Sequence, residues 1–131
     1  MRFTSTNTSA MARKLPVVEE HLPLRPAAYG VLLALGDSDL HGYGIMQSLT
    51  EQTGGRERIL PGTLYSTLAR LVEDGMVEEL DPPEEDASGG PQRRYYRRTT
   101  FGRAVARAES ERLRALLGMA VAQKIVPGVT G

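Results

Sequence analysis

The sequence predicts a mostly α-helical fold with one small β-hairpin, and three observations carry that expectation. Apolar stretches beginning near Pro26, Gly42 and Pro61 have helical character, and each runs into glycine. Two short alternating stretches, 76–80 and 93–98, read as strands joined by a loop rich in Pro and Gly. After Thr99, a long segment with an apolar stripe reads as a final helix.

Composition narrows the function classes. A chain of 131 residues holds one compact domain and an extra helix or tail. Hydrophobic residues at 40% and charged residues at 24% place it among folded rather than disordered chains. With no cysteine, disulfides, thiolate metal sites and a cysteine nucleophile are excluded. No apolar run has the length of a membrane span, and the N-terminus lacks the apolar core of a signal peptide, so a cytoplasmic location is expected. Net charge is zero, with 16 basic and 16 acidic side chains, but the charges are segregated. Eight arginines lie between Arg93 and Arg114, whereas acids dominate Glu73 to Asp86. A basic block of this kind can carry a nucleic-acid face at neutral net charge.

Residues 1–23 are polar and interrupted by Pro16 and Pro23, and are expected to form a flexible tail. Pro26 suits a first helical turn, and the run from Tyr29 to Leu35 is apolar enough to be buried on most sides. Residues 36–39, Gly-Asp-Ser-Asp, form the following turn. The second helix follows His41 and Gly42, with Ile45, Met46 and Leu49 as its stripe. Histidine can be a base or a metal ligand, but no partner stands at helical spacing to His41, so a structural role at the helix start is favoured. The third helix has the clearest period, with Leu64, Leu68 and Leu71 inward. Gly62, Thr63, Ser66, Thr67, Arg70 and Glu73 then face outward, with Tyr65 and Val72 at the boundary. Small hydroxyl-bearing and basic residues on such a face can enter a DNA major groove and donate to phosphates or base edges.

The two strands follow directly. On the second, Arg93, Tyr95 and Arg97 share one face and Arg94, Tyr96 and Arg98 the other. A hairpin with this position and charge reads as a wing, with Arg93, Arg94 and Arg97 neutralising phosphates. Thr99 or Thr100 caps the last helix, whose Val105, Leu113, Leu116, Leu117 and Val121 lack a covering element within the chain. A homodimer interface is expected there.

The ordered set Tyr29–Leu35, Leu40-His-Gly-Tyr43, Pro61-Gly-Thr-Leu-Tyr65 with Leu68 and Leu71, and Gly89-Gly-Pro91 through Tyr95, Tyr96, Thr99 and Gly102 resembles the PadR family of regulators over about residues 26–115. The resemblance implies a winged helix-turn-helix whose third helix enters the major groove, with a C-terminal helix pairing two subunits. It also implies repression of transcription, often relieved by a small-molecule effector. Thr63 and Tyr65 fall where such proteins approach the DNA backbone. Three features depart from the pattern: Gly44 replaces a usual glutamate, Arg98 stands at a usually apolar site, and Glu84, Glu85 and Asp86 make the wing tip acidic. There is no tryptophan, so a tryptophan-stacked ligand site is not carried over.

The expected organisation is a tail at 1–23, a winged helix-turn-helix at 24–99, a C-terminal dimerisation helix at 100–126 and a short tail at 127–131. Double-stranded DNA and a second copy are the expected partners. The alternative is a winged helix that binds only proteins. Enzymatic activity, a cofactor and a metal are not expected: the chain shows no nucleophile–base pair or metal constellation, and neither Gly54-Gly55 nor Gly89-Gly90 has the spacing or lysine of a phosphate-binding loop.

Overall fold

The computed structural model describes residues 17–83 and 94–128. Four helices and a small sheet build the fold. They are α1 (Pro26–Leu35), β1 (Leu40–His41), α2 (Gly42–Gln52), α3 (Pro61–Glu73), β2 (Val77–Leu80), β3 (Tyr95–Arg98) and α4 (Thr100–Ala122), preceded by a 3-10 turn at Val18–His21. This is a winged helix-turn-helix with a long helix following the wing.

Local chemistry sets the boundaries. Pro26 and Pro61 each occupy the first turn of their helix, where the missing N–H costs nothing. Gly75, with φ of 79°, lets the chain reverse after α3 while its neighbour's Met76 N–H reaches back to the Leu71 carbonyl. His41 caps α2, its Nδ1 accepting from the Gly44 N–H at 3.1 Å. That is the structural role expected for it.

The core joins all the elements. Val31, Leu32 and Leu35 of α1, Ile45 of α2, and Leu64, Leu68 and Leu71 of α3 are buried together with Met76, Val77, Tyr96 and Val105. The sheet has the antiparallel order β1-β3-β2. Its register sets Leu40 opposite Tyr96 on one side, and Val77 opposite Arg98 and Glu78 opposite Arg97 on the other.

Four expectations change. The tail does not extend to residue 23: Val18 and Leu22 pack against the core, and the His21 ring meets Phe101 edge-on at 5.5 Å. The sheet has a third strand, β1, whose two residues are too short to show a period in sequence. Val105, expected at the dimer interface, is fully buried within its own chain. The last helix stops at Ala122 rather than 126. There Lys124 takes φ of 62°, and its N–H and that of Ile125 close back on Val121 and Ala120. A lysine in the left-handed position is uncommon, which hides this stop from a reading that looks for glycine.

Arg98 shows how an unusual residue is accommodated beneath the wing. Its side chain is only 11% exposed, and its guanidinium donates to the Leu32 carbonyl and to Asp37, both at 3.2 Å. A cation thus sits on the carbonyl end of α1, where the helix dipole favours positive charge.

Candidate nucleic-acid interface

Helix α3 is held by its apolar side. Leu64, Leu68 and Leu71 are at most 2% exposed, so the helix cannot roll without exposing them. The opposite side is therefore fixed outward: Thr63, Ser66 and Arg70 are exposed and Thr67 is half-buried. The Ser66 hydroxyl donates back to the Thr63 carbonyl at 3.2 Å, which leaves its oxygen able to accept. Tyr65 is 50% exposed and lies over Gly42 at the start of α2. A side chain at residue 42 would collide with the Tyr65 ring and hydroxyl. The small residue thus seats the tyrosine between α2 and α3.

Between the start of α1 and the outer face of α3 runs an open groove. Arg25, Ala28, Thr63, Ser66, Thr67 and Arg70 line it, and no carboxylate does. Sequence reasoning missed Arg25, because it precedes the periodic part of α1 and nothing in its neighbours marks it.

The wing differs from its expected form. Arg93 and the acidic tip Glu84, Glu85 and Asp86 lie outside the described residues. Arg94 and Arg97 do not stand free. Arg94 is paired with Glu79 at 3.2 Å. Arg97 grips Asp39 through two hydrogen bonds of 2.9 and 3.0 Å and lies 3.7 Å from Glu78. The Arg97 hydrogen bond holds the Asp39 carboxyl below its ordinary range, and Asp39 in turn raises the Arg97 guanidinium. The acidic and basic stretches of the sequence are thus partners across one ladder, a pairing that depends on register.

Of the expected interface residues on α4, Leu116 and Leu117 are 50% and 44% exposed, while Leu113 and Val121 are half-buried. Met119, not foreseen, is 58% exposed and extends the same apolar surface. No described helix is long and apolar enough to cross a membrane, and no described cluster of acidic or histidine side chains could hold a metal ion.

Comparison with known proteins agrees with this architecture. A transcriptional regulator of Mycobacterium tuberculosis is 37% identical over 92 residues, 67% of this chain and 79% of that protein. A solved transcriptional regulator from Clostridium thermocellum superposes with a TM-score of 0.61 at 28% identity, covering 76% of this chain and 89% of its own. Bacillus subtilis PadR, solved in complex with operator DNA, shares the fold at a TM-score of 0.56 and 20% identity, over 64% of this chain and 47% of that one. The PadR-like family of transcriptional regulators matches residues 31–108, from the middle of α1 through the wing into α4, and the chain belongs to that family.

Proposed function

We propose that this protein is a sequence-specific DNA-binding regulator that acts as a homodimer on a pseudo-palindromic operator and represses transcription. The observation that carries the reading is the outer face of α3. Thr63, Ser66, Thr67 and Arg70 are presented as one small, hydrogen-bonding surface by leucines that cannot leave the core, with Glu73 one turn beyond Arg70 at the end of the helix. Family membership and a solved relative held on operator DNA support it. Tyr65 flanks this face on the side of α2.

The dimer is assigned to the C-terminal half of α4, through Leu113, Leu116, Leu117 and Val121. Two recognition helices related by a twofold axis would meet half-sites about 10 bp apart, one turn of the duplex. Relief by a small-molecule effector belongs to the same proposal and rests on the family resemblance.

The test is recovery of DNA bound in the cell, followed by titration of the recovered fragment with the wild type and an Arg70→Ala variant. If Arg70 grips a base edge, the change costs about 1–3 kcal/mol on the recovered site and relaxes its sequence preference. A wild type that enriches no fragment, and binds the regions flanking its own gene no better than competitor DNA, would defeat the reading in favour of a protein-binding module.

A further inference from the structure

Resting on that DNA-binding reading, we propose that Arg25, across the groove between α1 and α3 from Arg70, holds a backbone phosphate, and that Arg94 and Arg97 of the wing are internal tethers.

The argument starts from charge. The described base of the wing and the turn packed beside it hold Arg94, Arg97 and Arg98 against Asp37, Asp39, Glu78 and Glu79, three cations to four anions. Individual surface ion pairs are weak, and an arginine can exchange one oxyanion for another. Strength of pairing therefore does not decide the matter, but the sum of charges does. If Arg97 turned to a phosphate, Asp39 and Glu78 would be left facing the same duplex, and their repulsion would cancel the gain. This part of the wing brings no net positive charge to DNA.

The α1–α3 groove is the reverse case. Arg25 is exposed, and neither it nor Arg70 makes an ion pair among the described residues. Between them lie three hydroxyls, those of Thr63, Ser66 and Thr67, and no acid. Hydroxyls and guanidinium groups are the side chains that bind phosphodiester oxygens. The α3 wall of the groove is the face assigned to the bases, so a phosphate held by Arg25 on the opposite wall would lie beside the recognition helix. Arg97 is already engaged: from β3 it grips Asp39 in the α1–β1 turn and lies near Glu78 of β2, so one guanidinium holds three segments together.

The experiment measures affinity against salt for a mixed-sequence duplex by fluorescence anisotropy, using the full chain. Wild type, Arg25→Ala, Arg25→Lys, Arg94→Gln and Arg97→Gln are compared, and each variant is also melted. Every phosphate that a variant no longer neutralises lowers the slope of log affinity on log salt by about 0.9. Arg25→Ala is expected to lower the slope by that amount per subunit without moving the melting midpoint, and Arg25→Lys restores it. Arg94→Gln and Arg97→Gln are expected to leave the slope unchanged, with Arg97→Gln lowering the midpoint. A wild-type slope retained by Arg25→Ala would overturn the assignment, as would a fall in Arg94→Gln or Arg97→Gln equal to one phosphate per subunit. A wild type with no affinity for the duplex at any salt would defeat the DNA-binding reading itself, an outcome distinct from either.

Discussion

From Thr100 to Glu109, α4 is built into the domain: Gly102, Val105, Ala106 and Glu109 are all buried. From Leu113 onward the same helix carries Leu116, Leu117 and Met119 at 50%, 44% and 58% exposure, and none of its residues is fully buried. The two halves share one helical stripe, yet the first is covered by α1, the wing and the N-terminal segment while the second is open. An apolar period tells that a face wants cover and is silent on what supplies it. The first half also contains two residues that an amphipathic pattern does not call for, a glycine and a buried acid.

Those two residues give the sharpest tests of the contrast. The largest effect is expected at Gly102, whose missing side chain allows the helix to lie against the Met76 carbonyl. A β-carbon there meets backbone, which cannot swing aside, so Gly102→Ala should destabilise by about 3 kcal/mol or more. Denaturant titration measures it. An unchanged midpoint would mean that α4 and the start of β2 are not held together rigidly.

Glu109 comes next. At 2% exposure, it accepts from the Leu24 N–H at 3.2 Å and from Arg112 through two hydrogen bonds, and so ties the segment before α1 to α4. Glu109→Ala leaves the Leu24 amide without its partner and should cost about 1–3 kcal/mol. The pH dependence has a definite sign. The Arg112 hydrogen bonds hold this carboxyl below its ordinary value, opposed by burial and aided by the Leu24 N–H. Its contribution is therefore complete above the ordinary glutamate range, near pH 4.3, and fades as pH falls through the depressed folded value. Melting curves of the wild type and Glu109→Gln should converge as the pH is lowered from neutrality through the depressed value of this carboxyl. Parallel curves would show that the charge contributes nothing to the fold.

The smallest effect on the folded chain is expected in the second half. Leu116→Glu with Leu117→Glu should change the stability of one protomer by no more than about 0.5 kcal/mol per site. In the proposed dimer, however, the pair would bring four carboxylates together, and light scattering should report a monomer with its helical content kept. A double variant that still runs as a dimer would move the interface elsewhere.

Much of the fold is legible in the sequence because it depends on local pattern. The i, i+4, i+7 leucines of α3, the prolines opening α1 and α3, and the Thr99 cap each act within a few residues, and each is where the sequence puts it. The outward face of α3 follows from the leucines by geometry alone. The features that escape a sequence reading are set by tertiary partners. Val105 has the same periodicity as Leu116, and only packing separates core from surface. Arg94 and Arg97 are as basic in sequence as Arg25, but the ladder lays them beside acids. His21 stands in a segment whose composition reads as solvated, and Leu24 directly follows that segment. They are ordered by a helix distant in the chain, with His21 against Phe101 and Leu24 bonded to Glu109 across 85 positions.

Thr99 touches three parts of the molecule at once. Its hydroxyl donates to the Gly75 carbonyl at 2.7 Å and accepts from the Gly102 N–H at 2.9 Å, and its own N–H reaches the Met76 carbonyl at 3.0 Å. The end of α3, the end of the wing and the beginning of α4 therefore meet at one residue, with Gly102 pressed against the same carbonyl. Such a joint has little play. In the proposed dimer, the angle at which two copies of α4 cross would be passed undamped to the two recognition helices, like the setting of a pair of dividers clamped at the pivot. The span between the points would be decided at the far end of α4, so a ligand or substitution there could detune operator spacing without coming near DNA.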